Sequence, residues 1–226
     1  MARLVRPKSL TEMVADEIRA RIVDGRIQLG AGLSENGLAG ELGISKTPVR
    51  EALLQLKQEG LVEVQPQRGT YVFRMAPEQV VMISELREIL EVAAVKTAIA
   101  RNYDALVERM SALYADMREA YEDDDRLSYQ KLDGAYHEAI VELCGNPYVR
   151  SAYSQISFCV QALRSRLSKQ AQLNKLSIAD HREMLKLIKA RDVAPLQKLL
   201  RAHITQTKQS YLDVLERADV LAEERV

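Results

Sequence analysis

The chain has 226 residues, of which 47% are apolar, and it carries 32 basic and 32 acidic side chains. This composition supports a buried core and argues against wholesale disorder, and no stretch approaches the roughly 18 consecutive apolar residues that span a bilayer. The N-terminus lacks the apolar segment of a signal peptide, and Cys144 and Cys159 show neither metal-site spacing nor a disulfide framework. We therefore expect a cytoplasmic protein with reduced thiols and no membrane partner.

Two segments of different character follow one another. Eight of the ten glycines precede Arg74, whereas the chain after Pro77 shows aliphatic residues at three- and four-residue spacing with few breakers. This change predicts an N-terminal domain over residues 1–74, a linker over 75–77 and an all-helical domain over 78–226. The predicted fold class is mainly α: a winged helix-turn-helix with a small β-hairpin, then an all-α bundle.

Capping residues place three helices in the first segment. Ser9, Ser34 and Ser45 are typical N-caps, Gly43 is expected to end the second helix, and Pro48 is tolerated in the first turn of the third. The first helix should end near Asp24-Gly25. The apolar residues expected on the first two helices are Met13, Ile18, Ile22, Leu38 and Leu42.

The third helix carries two different faces. Val49, Ala52, Leu53 and Leu56 form its apolar face. Thr47, Arg50 and Leu54 point away from that face, and Lys46 lies in the first turn. Free backbone N–H groups, a positive dipole end and long cations suit a helix that enters a major groove by its N-terminus, where Arg50 reaches base edges.

A hairpin is predicted directly after this helix. The stretch "LVEVQPQRGTYVF" contains two short β runs around Pro66-Gln67-Arg68-Gly69, and its narrow tip could follow the adjacent minor groove. The alternative is a small capped helix with solvated charges, and spacing alone leaves that alternative open.

The stretch "LSENGLAGELGISKTPVREALLQLKQEGLVEVQPQRGTYV" resembles the DNA-binding domain of the GntR family of bacterial transcription regulators. Two positions depart from the family pattern: Lys46 replaces the usual arginine, and Gly37 replaces a better helix former. The resemblance implies dimers on a near-palindromic double-stranded DNA operator. It implies DNA contacts from Asn36, Lys46, Thr47, Arg50, Arg68 and Gly69.

The three histidines all lie in the second segment. Asp133 and His137 are spaced i, i+4 on one helix face, while Asp192 marks the turn of a helical hairpin. His181 and His203 each lie 11 residues from Asp192, which brings them level in an antiparallel pair. Three imidazoles and a carboxylate that converge in a bundle favour a divalent transition metal. Surface residues in coincidental register are the alternative.

A second resemblance covers this segment. "SELREILEVAAVKTA", "KLDGAYHEAIVELCGNP" and "ADHREMLKLIKARDVAPLQKLLRAHI" are similar to the effector-binding FCD domain of the FadR-type branch of GntR regulators. The resemblance implies that a metal, zinc foremost with nickel, manganese or iron as alternatives, binds Asp133, His137, His181 and His203. It also implies a small carboxylate effector.

Three further residues are candidates for the effector site. Arg87 and Arg164 could hold a carboxylate in two hydrogen bonds, although structural ion pairs would explain them equally well. Asn146 belongs to the Gly-Asn-Pro turn and either joins the site or shapes the helix ends. The expected function is a ligand-responsive homodimeric repressor. The alternatives are an architectural DNA-binding dimer and a non-haem metal oxygenase.

Overall fold

The computed structural model describes residues 7–74, 76–167 and 171–223, and the chain divides into two compact units after Arg74. In the described part, three helices and a small sheet precede this division and six helices follow it, which confirms the mainly α fold class. The elements are α1 Leu10–Val23, β1 Gly32–Leu33, α2 Glu35–Leu42, α3 Lys46–Gln58, β2 Val62–Gln65, β3 Gly69–Val72, α4 Pro77–Arg101, α5 Tyr103–Glu122, α6 Arg126–Leu143, α7 Pro147–Leu167, α8 Ala171–Ala190 and α9 Val193–Glu223.

The helix caps of the first unit follow most of the predicted pattern. Ser9 Oγ accepts a hydrogen bond from the Glu12 amide, and the Glu12 carboxylate accepts one from the Ser9 amide, which completes a capping box. Ser34 Oγ accepts a hydrogen bond from the Gly37 amide at the start of α2, and Gly43 ends that helix at a left-handed φ of 67°. Ser45 does precede α3, but its side chain makes no capping hydrogen bond, so that part of the prediction is wrong.

The core of the first unit lies between α1 and α3. Ile18 and Ile22 are completely buried, but Met13 is 56% exposed because α1 turns Val14 and Ala15 inward instead. Met13 is therefore an apolar residue of α1, as predicted, that lies outside this core. The apolar face of α3 is buried as predicted, with every member at most 3% exposed: Val49, Ala52, Leu53 and Leu56.

The hairpin forms as predicted and gains a third strand. β2 and β3 pair antiparallel with Glu63 opposite Tyr71, and Gln67 and Gly69 take positive φ at the tip. The two-residue β1 pairs with the other edge of β3, giving the strand order β1-β3-β2. Sequence periodicity did not predict β1 because two residues are too few to show any alternation.

The second unit is a bundle in which all six helices, α4 to α9, contribute to one apolar core. α4 begins at Pro77, so this residue, predicted as the end of the linker, is helical; Met75 lies outside the described residues. α8 and α9 form the expected hairpin, whose turn contains Arg191 at a positive φ of 56°. No helix in the described ranges combines the length and apolarity that crossing a membrane requires.

Candidate metal centre and DNA-binding face

Four buried side chains of the second unit converge on one point. Each of Asp133, His137, His181 and His203 offers one ligand atom, and these atoms all lie within 4.8 Å of one another. Asp133 and His137 come from α6, and the ring centroids of His181 on α8 and His203 on α9 are 4.9 Å apart. The structure thus brings together all four residues that the sequence nominated as metal ligands.

Each imidazole is held by an acceptor at its Nδ1 atom. His137 Nδ1–H donates to Glu91 Oε2 at 2.7 Å, and His203 Nδ1–H donates to Asp180 Oδ2 at 3.1 Å. His181 Nδ1–H donates to the carbonyl oxygen of Ser177, one helical turn earlier, at 2.7 Å. Because these partners are acceptors, we place the proton of each ring on Nδ1, and each Nε2 then keeps its lone pair.

The three Nε2 atoms face the common centre. His137 Nε2 and His203 Nε2 lie 3.3 Å apart, and two lone pairs at that distance repel unless a cation or proton lies beside them. His181 Nε2 is buried, has no hydrogen-bond partner among the described residues and lies 3.5 Å from Asp133 Oδ1. An unpaired buried nitrogen is costly in an apolar interior, so this donor set fits a metal cation.

The protonation states also suit a metal. Burial lowers the pKa of His137 to about 4, against the opposing charge of Glu91, and burial likewise lowers the pKa of His181. Burial alone would raise the pKa of Asp133, but Arg164 and the three neighbouring histidines together outweigh it and hold the pKa below its usual range. Near pH 7 the two imidazoles are neutral and the carboxylate is ionised, the forms that bind metals.

A buried ion pair supports His137 from behind. Arg87 and Glu91 on α4 are at most 1% exposed, and Arg87 Nε donates to Glu91 Oε1 at 2.8 Å. The Tyr153 hydroxyl donates to the same oxygen at 3.0 Å. Sequence reasoning missed Glu91, because an Arg–Glu pair at i, i+4 reads as a surface pair unless the burial of the helix is known.

Several buried donors near this cluster have no partner within the described residues. They are Nη1 and Nη2 of Arg87, Nε and Nη2 of Arg164, and the hydroxyl of Tyr211. Arg164 Nε lies 2.6 Å from Asp133 Oδ2, but the angle is not that of a hydrogen bond, so the contact is an ion pair only. The two candidate effector arginines are thus buried and retain free hydrogen-bonding capacity.

Asn146 has a different role from the one first considered. Its Oδ1 accepts hydrogen bonds from the backbone amides of Tyr148 and Val149 at 3.0 and 3.4 Å, which caps the start of α7. This arrangement supports its alternative interpretation as a residue that shapes a helix end.

A small cavity adjoins the ligand cluster. Its volume of about 20 Å³ accommodates roughly one water molecule. The residues that line it come from α6, α7, α8 and α9: Gln130, Asp133, Arg164, Asn174, Ser177, His203, Gln206 and Thr207.

The predicted DNA-contacting residues all lie on the surface of the first unit. On α3, Arg50 is 65% exposed and holds Glu35 of α2 in an ion pair of 3.0 Å. The other predicted contact residues are also exposed: Asn36, Lys46, Thr47, Arg68 and Gly69. The structure therefore leaves the N-terminal end of α3 and the hairpin tip accessible, with Glu35 as a local competitor for Arg50.

Comparison with known proteins adds independent information. Residues 10–72 match "Bacterial regulatory proteins, gntR family", and residues 82–206 match the FCD domain. The gluconate operon transcriptional repressor of Bacillus subtilis (strain 168) is 28% identical over 216 residues, covering 92% of this chain and 88% of that protein. An uncharacterised HTH-type transcriptional regulator of Streptomyces ambofaciens is 30% identical over 195 residues, covering 83% and 79% respectively.

A solved structure agrees with these sequence relatives. Escherichia coli McbR/YncC aligns with a TM-score of 0.79 at 24% identity, over 92% of this chain and 99% of that one, which shows a common fold. The matched family and the two sequence relatives are transcription regulators, so the chain is a transcription regulator and the metal-oxygenase alternative is set aside. The chain belongs to the gntR family of bacterial regulatory proteins, with a winged helix-turn-helix followed by an FCD domain.

Proposed function

We propose that the protein is a homodimeric repressor whose FCD domain binds a divalent metal and a small carboxylate effector. The observation that carries the proposal is the convergence of four ligand atoms within 4.8 Å, with each imidazole fixed through Nδ1. Such anchoring orients the rings before the metal arrives, as acceptors behind histidine ligands do in other metal sites. The gluconate operon repressor among its relatives supports both the repressor role and an organic acid as the signal.

The donor set favours a transition metal over calcium or magnesium. Three imidazole nitrogens and one carboxylate oxygen suit zinc foremost, with nickel, manganese and iron as alternatives. A metal that accepts five or six donors would keep positions for an effector oxygen. When bound, it would supply Lewis acidity toward a carboxylate and would stabilise the fold by mass action.

Arg87 and Arg164 would hold the carboxylate. Their unpaired N–H groups can each make charge-assisted hydrogen bonds, and a carboxylate matches the planar guanidinium geometry. The adjoining cavity of about 20 Å³ is too small for an organic acid, so binding must move the surrounding helices apart. An effector that favours the opened bundle would shift the population of conformations and change the spacing of two recognition helices.

For DNA binding, α3 would enter the major groove by its N-terminal end. Lys46 and Thr47 would contact phosphates and Arg50 would read a base edge, while Arg68 and Gly69 at the hairpin tip would approach the minor groove. Asn36 on α2 would add a contact.

A second copy of the chain is the expected partner of α4. Met82 and Ile89 lie seven residues apart on one helix face and are 58% and 66% exposed. Two large apolar side chains on one face are a plausible centre for an isologous helix contact.

The proposal can be tested with one pair of measurements. Duplexes selected from a random pool by the purified protein supply an operator, and fluorescence anisotropy then measures its affinity with and without metal and small acids. His181→Ala combined with His203→Ala should abolish metal binding and the response to acid, while Arg182→Ala, the exposed neighbour of His181, should change neither. An architectural DNA binder would keep the same operator affinity in every condition, and that result would refute effector sensing.

A further inference from the structure

A set of unpaired buried donors lies beside the ligand cluster and comes from three helices that pack on one another. Arg87 belongs to α4, Arg164 to α7 and Tyr211 to α9. Each arginine directs its Nε toward an internal carboxylate, Glu91 for Arg87 and Asp133 for Arg164. The terminal N–H groups of both arginines that have no partner in the described ranges are therefore already oriented by those carboxylates.

Tyr211 has no role in the proposed metal site. It is 2% exposed, its hydroxyl has no hydrogen-bond partner in the part of the chain that the structure describes, and it lies eight residues after His203 on the same face of α9. Burial raises the pKa of its phenol, and the charges of Arg164 and Arg87 act on it in the opposite direction. The hydroxyl is thus a neutral donor near both guanidinium groups, where it could serve an anion.

The buried charges limit which anion fits. Arg87 pairs with Glu91 at 2.8 Å and Arg164 pairs with Asp133 at 2.6 Å, so the charges of these two buried ion pairs cancel before any metal binds. The other nearby carboxylate, Asp180, is 27% exposed and remains partly hydrated. A divalent metal bound by neutral imidazoles would leave two positive charges uncompensated in a buried place, which is strongly unfavourable.

We propose that Arg87, Arg164 and Tyr211 form a second anion-binding site beside the metal, and that the effector is a small dicarboxylate. This inference rests on the proposed function and narrows its ligand class. One carboxylate would bind the metal from the side of the cavity that Asp133, Arg164 and His203 line. The other would accept hydrogen bonds from Arg87 and Tyr211, and two negative charges would restore neutrality.

The test compares each dicarboxylate with its own monoamide, which carries one negative charge fewer, and with monocarboxylates. Metal-loaded protein is titrated by calorimetry with malonate, succinate, glutarate and malate, with the monoamide of each, and with the monocarboxylates lactate and gluconate. The tightest ligand should be a dicarboxylate that binds at least tenfold better than its monoamide, because a charge-assisted pair with arginine is lost in the amide.

Two variants distinguish a role in anion binding from a purely structural role of these side chains. Tyr211→Phe should weaken the best dicarboxylate about tenfold and reduce its advantage over the monoamide, while metal affinity and the circular dichroism spectrum stay unchanged. Arg87→Lys should act in the same direction because it removes the planar fork. Tyr148→Phe, at a tyrosine of α7 that is 84% exposed, is the matched control and should have no effect.

The outcomes are distinguishable. If a monocarboxylate binds more tightly than every dicarboxylate, or if Tyr211→Phe leaves the dicarboxylate preference intact, the second anion site is refuted and these donors serve buried water. If the metal binds but no acid of any series does, the proposed carboxylate effector itself fails.

Discussion

Replacement of Glu91 by glutamine would remove one negative charge from the centre of the bundle and would leave the side-chain volume almost unchanged. Glu91 Oε1 accepts hydrogen bonds from Arg87 and Tyr153, and Oε2 accepts one from His137. The amide NH₂ of glutamine cannot accept a hydrogen bond, so whichever way the amide turns, at least one of these buried donors loses its acceptor.

The size of the effect follows from this loss. Arg87 would remain charged at 1% exposure without an adjacent counterion, and breaking a buried ion pair by removing one partner costs about 3–5 kcal/mol. The orientation of His137 would also loosen, which should reduce metal affinity by about 10- to 100-fold. We expect both effects together in Glu91→Gln.

Urea denaturation of metal-free protein measures the first effect, and metal titration against a chelating dye measures the second. Glu85→Gln provides the control, because Glu85 is an exposed residue of the same helix and its replacement should change stability by no more than about 0.5 kcal/mol. A loss below about 1 kcal/mol in Glu91→Gln, with unchanged metal affinity, would show that Glu91 neither neutralises Arg87 nor positions His137.

Four further outcomes are expected. Arg50→Ala should weaken binding to the selected operator by about 1–3 kcal/mol and relax base preference at one position of each half-site, as competition against single-base variants would show. Gly43→Ala should destabilise the first unit by about 1–2 kcal/mol, because φ is 67° there; thermal denaturation followed by circular dichroism measures this. Met82→Glu combined with Ile89→Glu should convert the proposed dimer to monomer in analytical ultracentrifugation, since four like charges would meet across its two-fold axis. Chelation of metal-loaded protein should lower its melting temperature by about 5–10 °C if the metal is present at 100 times its Kd, whereas unchanged melting would contradict metal binding.

The sequence predicted those features that depend on short-range rules. Ser9 and Ser34 stand at their caps because a side-chain oxygen there meets free backbone N–H groups a few residues along. The level placement of His181 and His203 follows from the regular rise of two helices joined by a short turn. The rise and rotation per residue of an α-helix do not depend on the rest of the protein, so the sequence alone was enough to predict this placement.

Features that depend on tertiary packing were not predictable in the same way. Met13 directly precedes the buried residues Val14 and Ala15 on α1. Its apolar side chain alone does not show which of these neighbouring residues faces the core. Glu91 is of a residue type that is mostly exposed and Tyr211 of a type that is intermediate, so neither identity predicts a fully buried side chain. Only the packing of α4, α7 and α9 shows that these side chains are enclosed.

The hairpin of α8 and α9 also makes chain length a functional constraint. His181 and His203 stand level because each lies 11 residues from Asp192. One codon gained or lost between His181 and the turn would rotate that ring by about 100° around its helix and shift it by about 1.5 Å. Insertions and deletions in this interval should therefore be far more damaging than most substitutions there, and a deep mutational library that contains both kinds would display that asymmetry.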